Sequence, residues 1–182
     1  MRQLPNLLTW ARIVLTPVCV YYVLAGRPDI AMPWTVVTGL TDAADGYLAR
    51  RLRVESRLGA WLDPIADKFL LTSLYVTFGI VNAVPDWLVW LVVGRDVLIL
   101  TLAAAGLALT RIRDFPPTVW GKTSTVIQIA GVLVLLEAGA GSAMGTQLRD
   151  LTVWAVAAGT AWSGIHYMWR AVAMSRTSRE IV

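Results

Sequence analysis

The sequence has little of what a soluble catalytic domain is built from. It holds one cysteine, Cys19, so no internal disulfide can form, and one histidine, His166, so no Cys/His zinc spacing exists. Charged residues are only 15% of the 182, against about 25% in a typical soluble domain. That scarcity excludes a disordered chain, a nucleic-acid-binding domain and an ordinary cytosolic domain. No internal repeat is visible. Arg12 interrupts the first apolar run, so neither a cleaved signal peptide nor a transit peptide is expected.

Apolar residues are abundant instead, at 57% of the chain, with nine tryptophans suited to a membrane–water interface. A spanning helix needs about 20 mostly apolar residues. Six segments qualify: Pro5–Ala25, Ile30–Leu48, Ala60–Val81, Trp87–Leu109, Val119–Ala138 and Leu151–Ala173. The remainder is too short for a separate soluble domain. The expected fold is all-α, one polytopic membrane bundle of six transmembrane helices forming a single domain over residues 1–182.

Orientation follows from the loops. Nine arginines (Arg2, Arg50, Arg51, Arg53, Arg57, Arg111, Arg113, Arg176 and Arg179) fall in the tails and in the 49–59 and 110–118 loops. The alternate loops hold only Arg27 and Arg149. This asymmetry puts both termini in the cytoplasm. The net charge of +4 thus reports orientation and anionic headgroups rather than nucleic acid.

Charges inside the spans are costly, about 2.5–3.5 kcal/mol for an aspartate at a helix centre. Six acidic residues nonetheless lie there: Asp42, Asp45, Asp63, Asp67, Asp96 and Glu137. At about 100° per residue, Asp42, Asp45, Gly46 and Ala49 share one helix face. Gly59, Asp63 and Asp67 form an i, i+4, i+8 stripe on the next helix. Two helices joined by a basic loop can aim four carboxylates at one place. Such a group must be protonated or neutralised by cations, and hard divalent cations prefer oxygen ligands. Two divalent cations would balance four carboxylates. The small residues on the same faces leave room for a ligand.

Two other readings compete. The aspartates could pair with Arg50, Lys68, Arg95 and Arg12 as structural ion pairs, but small residues would not then line the same faces. A divalent-cation transporter also needs intramembrane carboxylates, but near the bilayer midplane on broken helices, often within inverted repeats. Here the cluster abuts an arginine-rich cytoplasmic loop, which suits a pyrophosphate-containing substrate.

The pattern Asp42-x-x-Asp45-Gly46-x-x-Ala49-Arg50, eight residues, Gly59, three residues, Asp63, three residues, Asp67 resembles the signature of the CDP-alcohol phosphotransferase family at every fixed position. The resemblance covers nearly the whole chain. It implies transfer of a phosphatidyl group from CDP-diacylglycerol to an alcohol, with release of CMP. It implies Asp42, Asp45 and Asp63 as ligands of Mg²⁺ or Mn²⁺, two ions per site. Asp67 would share the metal site and act as base on the acceptor hydroxyl. Gly46, Ala49, Arg50 and Gly59 would contact the donor. It suggests a homodimer; with the arginine asymmetry and no transit peptide expected, the expected place is the bacterial cytoplasmic membrane, with the active site facing the cytoplasm.

Other stretches resemble one branch of that family, the phosphatidylglycerophosphate synthases and eukaryotic-type cardiolipin synthases. They are Pro5-Asn6-Leu7-Leu8-Thr9-x-x-Arg12 and Leu62-Asp63-Pro64-x-Ala66-Asp67-Lys68. Gly94-Arg95-Asp96-Val97 favours the cardiolipin synthases, although Gly94 and Gly121 stand where those often have serine. The expected acceptor is therefore phosphatidylglycerol, giving cardiolipin, with glycerol 3-phosphate as the alternative. Arg95, Lys122 and Arg12 are the candidates for binding the acceptor's phosphate. The competing reading of Arg95 is a plain Arg95–Asp96 pair. Lys68 points about 100° from Asp67 and reads as an ion pair or snorkelling side chain. Glu137 and His166 read as interfacial or packed, and Cys19 as buried.

Overall fold

The computed structural model describes the backbone of residues 4–52, 57–109 and 119–177, and the side chains of residues 12–40, 68–102 and 119–172. Among the described residues there are six helices and no strand: α1 (Leu4–Leu24), α2 (Pro28–Leu52), α3 (Arg57–Ile80), α4 (Asp86–Leu109), α5 (Val119–Gly139) and α6 (Ala143–Thr177). All six expected helices are present.

Local chemistry explains where they stop. Gly26 takes a left-handed φ of 69°, and Pro28, its φ already helical, opens α2. After α3, Asn82 adopts φ 56°, a conformation that asparagine tolerates better than most residues. The Ala83 amide then bonds back to the Phe78 carbonyl at 2.8 Å. Arg149 closes this end, with Nε donating to the Ala83 carbonyl at 2.9 Å and Nη2 to the Asn82 carbonyl at 3.2 Å. Those carbonyls would otherwise lack partners, as at any helix C-terminus.

Some boundaries differ from the expectation. Helix α6 begins at Ala143 rather than Leu151. Ser142 caps it, its hydroxyl accepting from the Gly145 amide at 3.4 Å. The first two turns are too polar to count as a span but are helical all the same. Likewise α2 runs on to Leu52 and α3 starts at Arg57, so Ala49, Arg50 and Gly59 are helical rather than loop residues.

The helices group into two compact units. One comprises Met1–Val84 with Val132–Arg149, the other Pro85–Gly131 with Asp150–Val182. In the first, α1 packs on both α2 and α3. Its core includes Cys19, Leu74, Tyr75, Phe78 and Leu136. Thr16, Thr35, Thr38 and Thr77 are also buried there, each hydroxyl donating to the carbonyl four residues back. That bond lets a hydroxyl sit in an apolar core without a distant partner.

The second unit buries Leu88, Val92 and Val156 together with a polar group: Arg95, Asp96, Ser124, Gln128, Thr160 and Ser163. Its surface is strongly apolar, with Trp90 75% and Trp154 68% exposed. Trp87 pairs with Trp154, and Trp120 meets Trp162 edge-on. Among the described residues one helix, Val119–Gly139, is long and apolar enough to cross a membrane; Arg12–Leu24 and Lys68–Ile80 are shorter apolar stretches.

Candidate active site

The signature carboxylates occupy two helices of the first unit. Asp42, Asp45, Gly46, Ala49 and Arg50 lie on α2, and Gly59, Asp63 and Asp67 on α3. Their side chains fall outside the described residues, but their helical register is set. On α2, the buried residues Ala31, Thr35 and Thr38 form a line at steps of four and three. The same steps lead on to Asp42, Asp45 and Ala49. On α3, the buried residues Leu70, Leu74 and Phe78 form a line that runs back to Asp67, Asp63 and Gly59. The four carboxylate positions thus continue buried lines of both helices, and α1 packs on both. The connection at 53–56 is short: a five-residue step reaches at most about 18 Å.

The donor set fits a hard divalent cation. It is made of carboxylate oxygens on regular helix, with neither thiolate nor imidazole in the pattern. Among the described residues no further cluster of acidic, histidine or cysteine side chains could hold a metal.

Arg12, on α1 in the same unit, is 2% exposed. Lys68 is half-buried on α3. Cys19 is buried, as expected.

The other candidate cations lie in the second unit. Lys122, in the first turn of α5, is exposed. Arg95, on α4, is 6% exposed and held on several sides. Nη1 donates to Asp96 Oδ1 at 2.7 Å. Nε and Nη2 both donate to Ser163 Oγ on α6, at 3.3 and 2.8 Å. Nη2 also reaches the Gly121 carbonyl on α5 at 3.5 Å, and the Tyr167 ring centroid lies 6.0 Å from the guanidinium carbon. The Arg95–Asp96 pair weighed from the sequence therefore exists. Beside it, Gln128 on α5 donates to Thr160 on α6 at 3.0 Å. His166 is half-buried with its ring 6.1 Å from that of Trp169.

Sequence reasoning missed Ser163, Thr160 and Tyr167. A signal was available: these three polar residues sit at i, i+3 and i+7 along an otherwise apolar stretch of α6, and so share one face.

Comparison with known proteins decides the family. Residues 2–172 match the CDP-alcohol phosphatidyltransferase family. The chain belongs to that family. It is 37% identical over 120 residues to a probable cardiolipin synthase (CMP-forming) of Drosophila melanogaster, covering 65% of this chain and 36% of that protein. It is 32% identical over 155 residues to a cardiolipin synthase (CMP-forming) of Rattus norvegicus, covering 74% of this chain and 50% of that one. A CDP-diacylglycerol–glycerol-3-phosphate 3-phosphatidyltransferase of Aquifex aeolicus is 32% identical over 127 residues, 68% of this chain and 70% of that protein. The chain thus spans half or less of the length of the cardiolipin synthases named here.

Proposed function

We propose that this family member transfers the phosphatidyl group of CDP-diacylglycerol to a hydroxyl of phosphatidylglycerol, forming cardiolipin and CMP. The observation that carries the transfer chemistry is the four-aspartate pattern of Asp42, Asp45, Asp63 and Asp67, set on two helices whose buried lines they continue. Asp42, Asp45 and Asp63, with Asp67 sharing the site, would hold Mg²⁺ or Mn²⁺. The cations supply counter-charge for the donor's pyrophosphate and the departing CMP. Gly46, Ala49 and Gly59 leave space for the donor beside the helix backbone, and Arg50 offers it a cation. Asp67 accepts the acceptor's hydroxyl proton. The hydroxyl oxygen bonds to the phosphorus that carries diacylglycerol, and the bond from that phosphorus to the CMP oxygen breaks.

Two observations favour phosphatidylglycerol. Relatives named cardiolipin synthase match at 32–37% identity. Arg95, the buried arginine among the described residues of the second unit, is also already balanced by Asp96 at 2.7 Å. One phosphodiester needs less cationic charge than a dianionic phosphomonoester. Arg95 and Lys122 are the groups of the second unit that we assign to that phosphate. The second reading, glycerol 3-phosphate as acceptor, is favoured by the relative of Aquifex aeolicus, 70% of whose length is matched.

The apolar composition and the exposed tryptophans support six membrane-spanning helices, and the arginine asymmetry of the loops supports both termini and the active site on the cytoplasmic side, in this reading of a bacterial inner membrane. The working form in this reading is a homodimer. The test is purified protein with CDP-diacylglycerol and Mg²⁺ or Mn²⁺, offered each acceptor separately, with products read by mass spectrometry. Cardiolipin from phosphatidylglycerol, with no product from glycerol 3-phosphate, is the expected result. The reverse pattern would transfer the assignment to the second reading.

A further inference from the structure

We infer that Ser163 is a positioning residue for the acceptor, acting through Arg95. The inference rests on the reading of Arg95 as a cation for the acceptor's phosphate. An arginine has five N–H donors in a rigid fork. In this chain the Nε hydrogen and one Nη2 hydrogen go to a single oxygen, Ser163 Oγ, at 3.3 and 2.8 Å. One Nη1 hydrogen goes to Asp96, and the second Nη2 hydrogen turns to the Gly121 carbonyl. Among the described residues no acceptor takes the other Nη1 hydrogen, which leaves it for a ligand. A guanidinium with one available N–H works only if its plane is fixed, because a small rotation removes that donor from line.

Asp96 and Ser163 divide that task. Asp96 is the neighbour of Arg95 on α4 and supplies charge, but it moves with α4. Ser163 is on α6, 68 residues away in sequence, and it grips the opposite edge of the fork. It is 0% exposed, so no water replaces it cheaply. Gly164 beside it leaves the arginine stem room, since even an added Cβ would stay 3.8 Å from Arg95 Cγ. A buried ion pair is weak evidence for stability, because an apolar replacement is often as stable. An ionisable group kept inside a membrane-spanning bundle is better explained by a ligand.

The test compares Ser163→Ala, Ser163→Thr and Arg95→Ala with the wild type in mixed micelles, titrating phosphatidylglycerol and CDP-diacylglycerol separately. Ser163→Ala should raise the KM for phosphatidylglycerol about fivefold or more, as expected for a lost hydrogen bond to a charged group. The KM for CDP-diacylglycerol and kcat should stay within about twofold, the pattern of lost ground-state binding. Ser163→Thr keeps the hydroxyl and should restore the wild-type KM. Equal loss in both KM values, or no rescue by threonine, would reduce Ser163 to a packing residue. If Arg95→Ala raises the acceptor KM but Ser163→Ala does not, positioning fails and the reading of Arg95 stands. If Arg95→Ala leaves the acceptor KM unchanged, the reading of Arg95 itself falls and takes the inference with it.

Discussion

The two units arrange charge in opposite ways. In the first, Asp42, Asp45, Asp63 and Asp67 gather one sign of charge on two helices. In the second, Arg95 and Asp96 bring both signs to adjacent positions and finish the pairing with Ser163 and Gly121. Like charges need something from outside the chain, whereas opposite charges satisfy each other. The first arrangement therefore calls for a cation from outside the chain, and the second fixes the geometry of one guanidinium from within it.

The sharpest way to break this comparison is to remove the outside partner. Excess EDTA should abolish product formation, and Mg²⁺ or Mn²⁺ should restore it. Undiminished turnover after thorough chelation would mean that the aspartates are balanced from within, like Arg95.

The next largest effect is expected at Asp67. Asp67→Asn should lower turnover by about 10²–10⁴-fold, the usual loss on removing a general base. Binding of CDP-diacylglycerol, measured without acceptor, should fall much less. A variant that kept a tenth of the wild-type rate would hand the proton to another group.

Loss of Asp96 should show first in stability. Asp96→Asn leaves the Arg95 charge buried with a neutral neighbour, which costs about 3–5 kcal/mol when a buried pair is broken from one side. Thermal unfolding in detergent should show a clear drop that metal addition does not repair. A drop repaired by Mg²⁺ would tie the pair to the metal site instead.

The smallest effect concerns an exposed pair. Arg27 Nη2 lies 3.2 Å from Asp29 Oδ2. The Arg27 hydrogen bond, followed by its charge, holds the Asp29 carboxyl below its ordinary value. A lowered folded pKa contributes stability above the unfolded pKa, about 3.9 for aspartate, and loses it as pH falls through the folded value. Wild type should therefore exceed Asp29→Asn slightly at neutral pH and low salt, with the gap closing below about pH 4 and on adding salt. A gap that persisted in acid would mean that Asp29 acts in its protonated form.

Much of this molecule was legible before any coordinates. Asp63 and Asp67 are four residues apart, so a helix alone places them on one face. The six helices follow from apolar runs and the Gly and Pro residues between them. The start of α6 was not legible in that way, because apolarity marks a span and not a helix. Ser142, a cap that gives no hydropathy signal, begins the helix eight residues earlier than the apolar run.

The sequence by itself determined the all-α class, the family signature and the spacing of the carboxylates, because each depends on neighbours within two helical turns. Only the tertiary structure decided what holds Arg95. Ser163 and Gly121 are 68 and 26 residues from it, on two other helices, and no local periodicity brings those positions together. It also decided that Arg149, which reads as a loop charge, closes the end of α3 from 66 residues away. Long-range pairing of this kind depends on which faces of the helices meet, and packing across the bundle settles that.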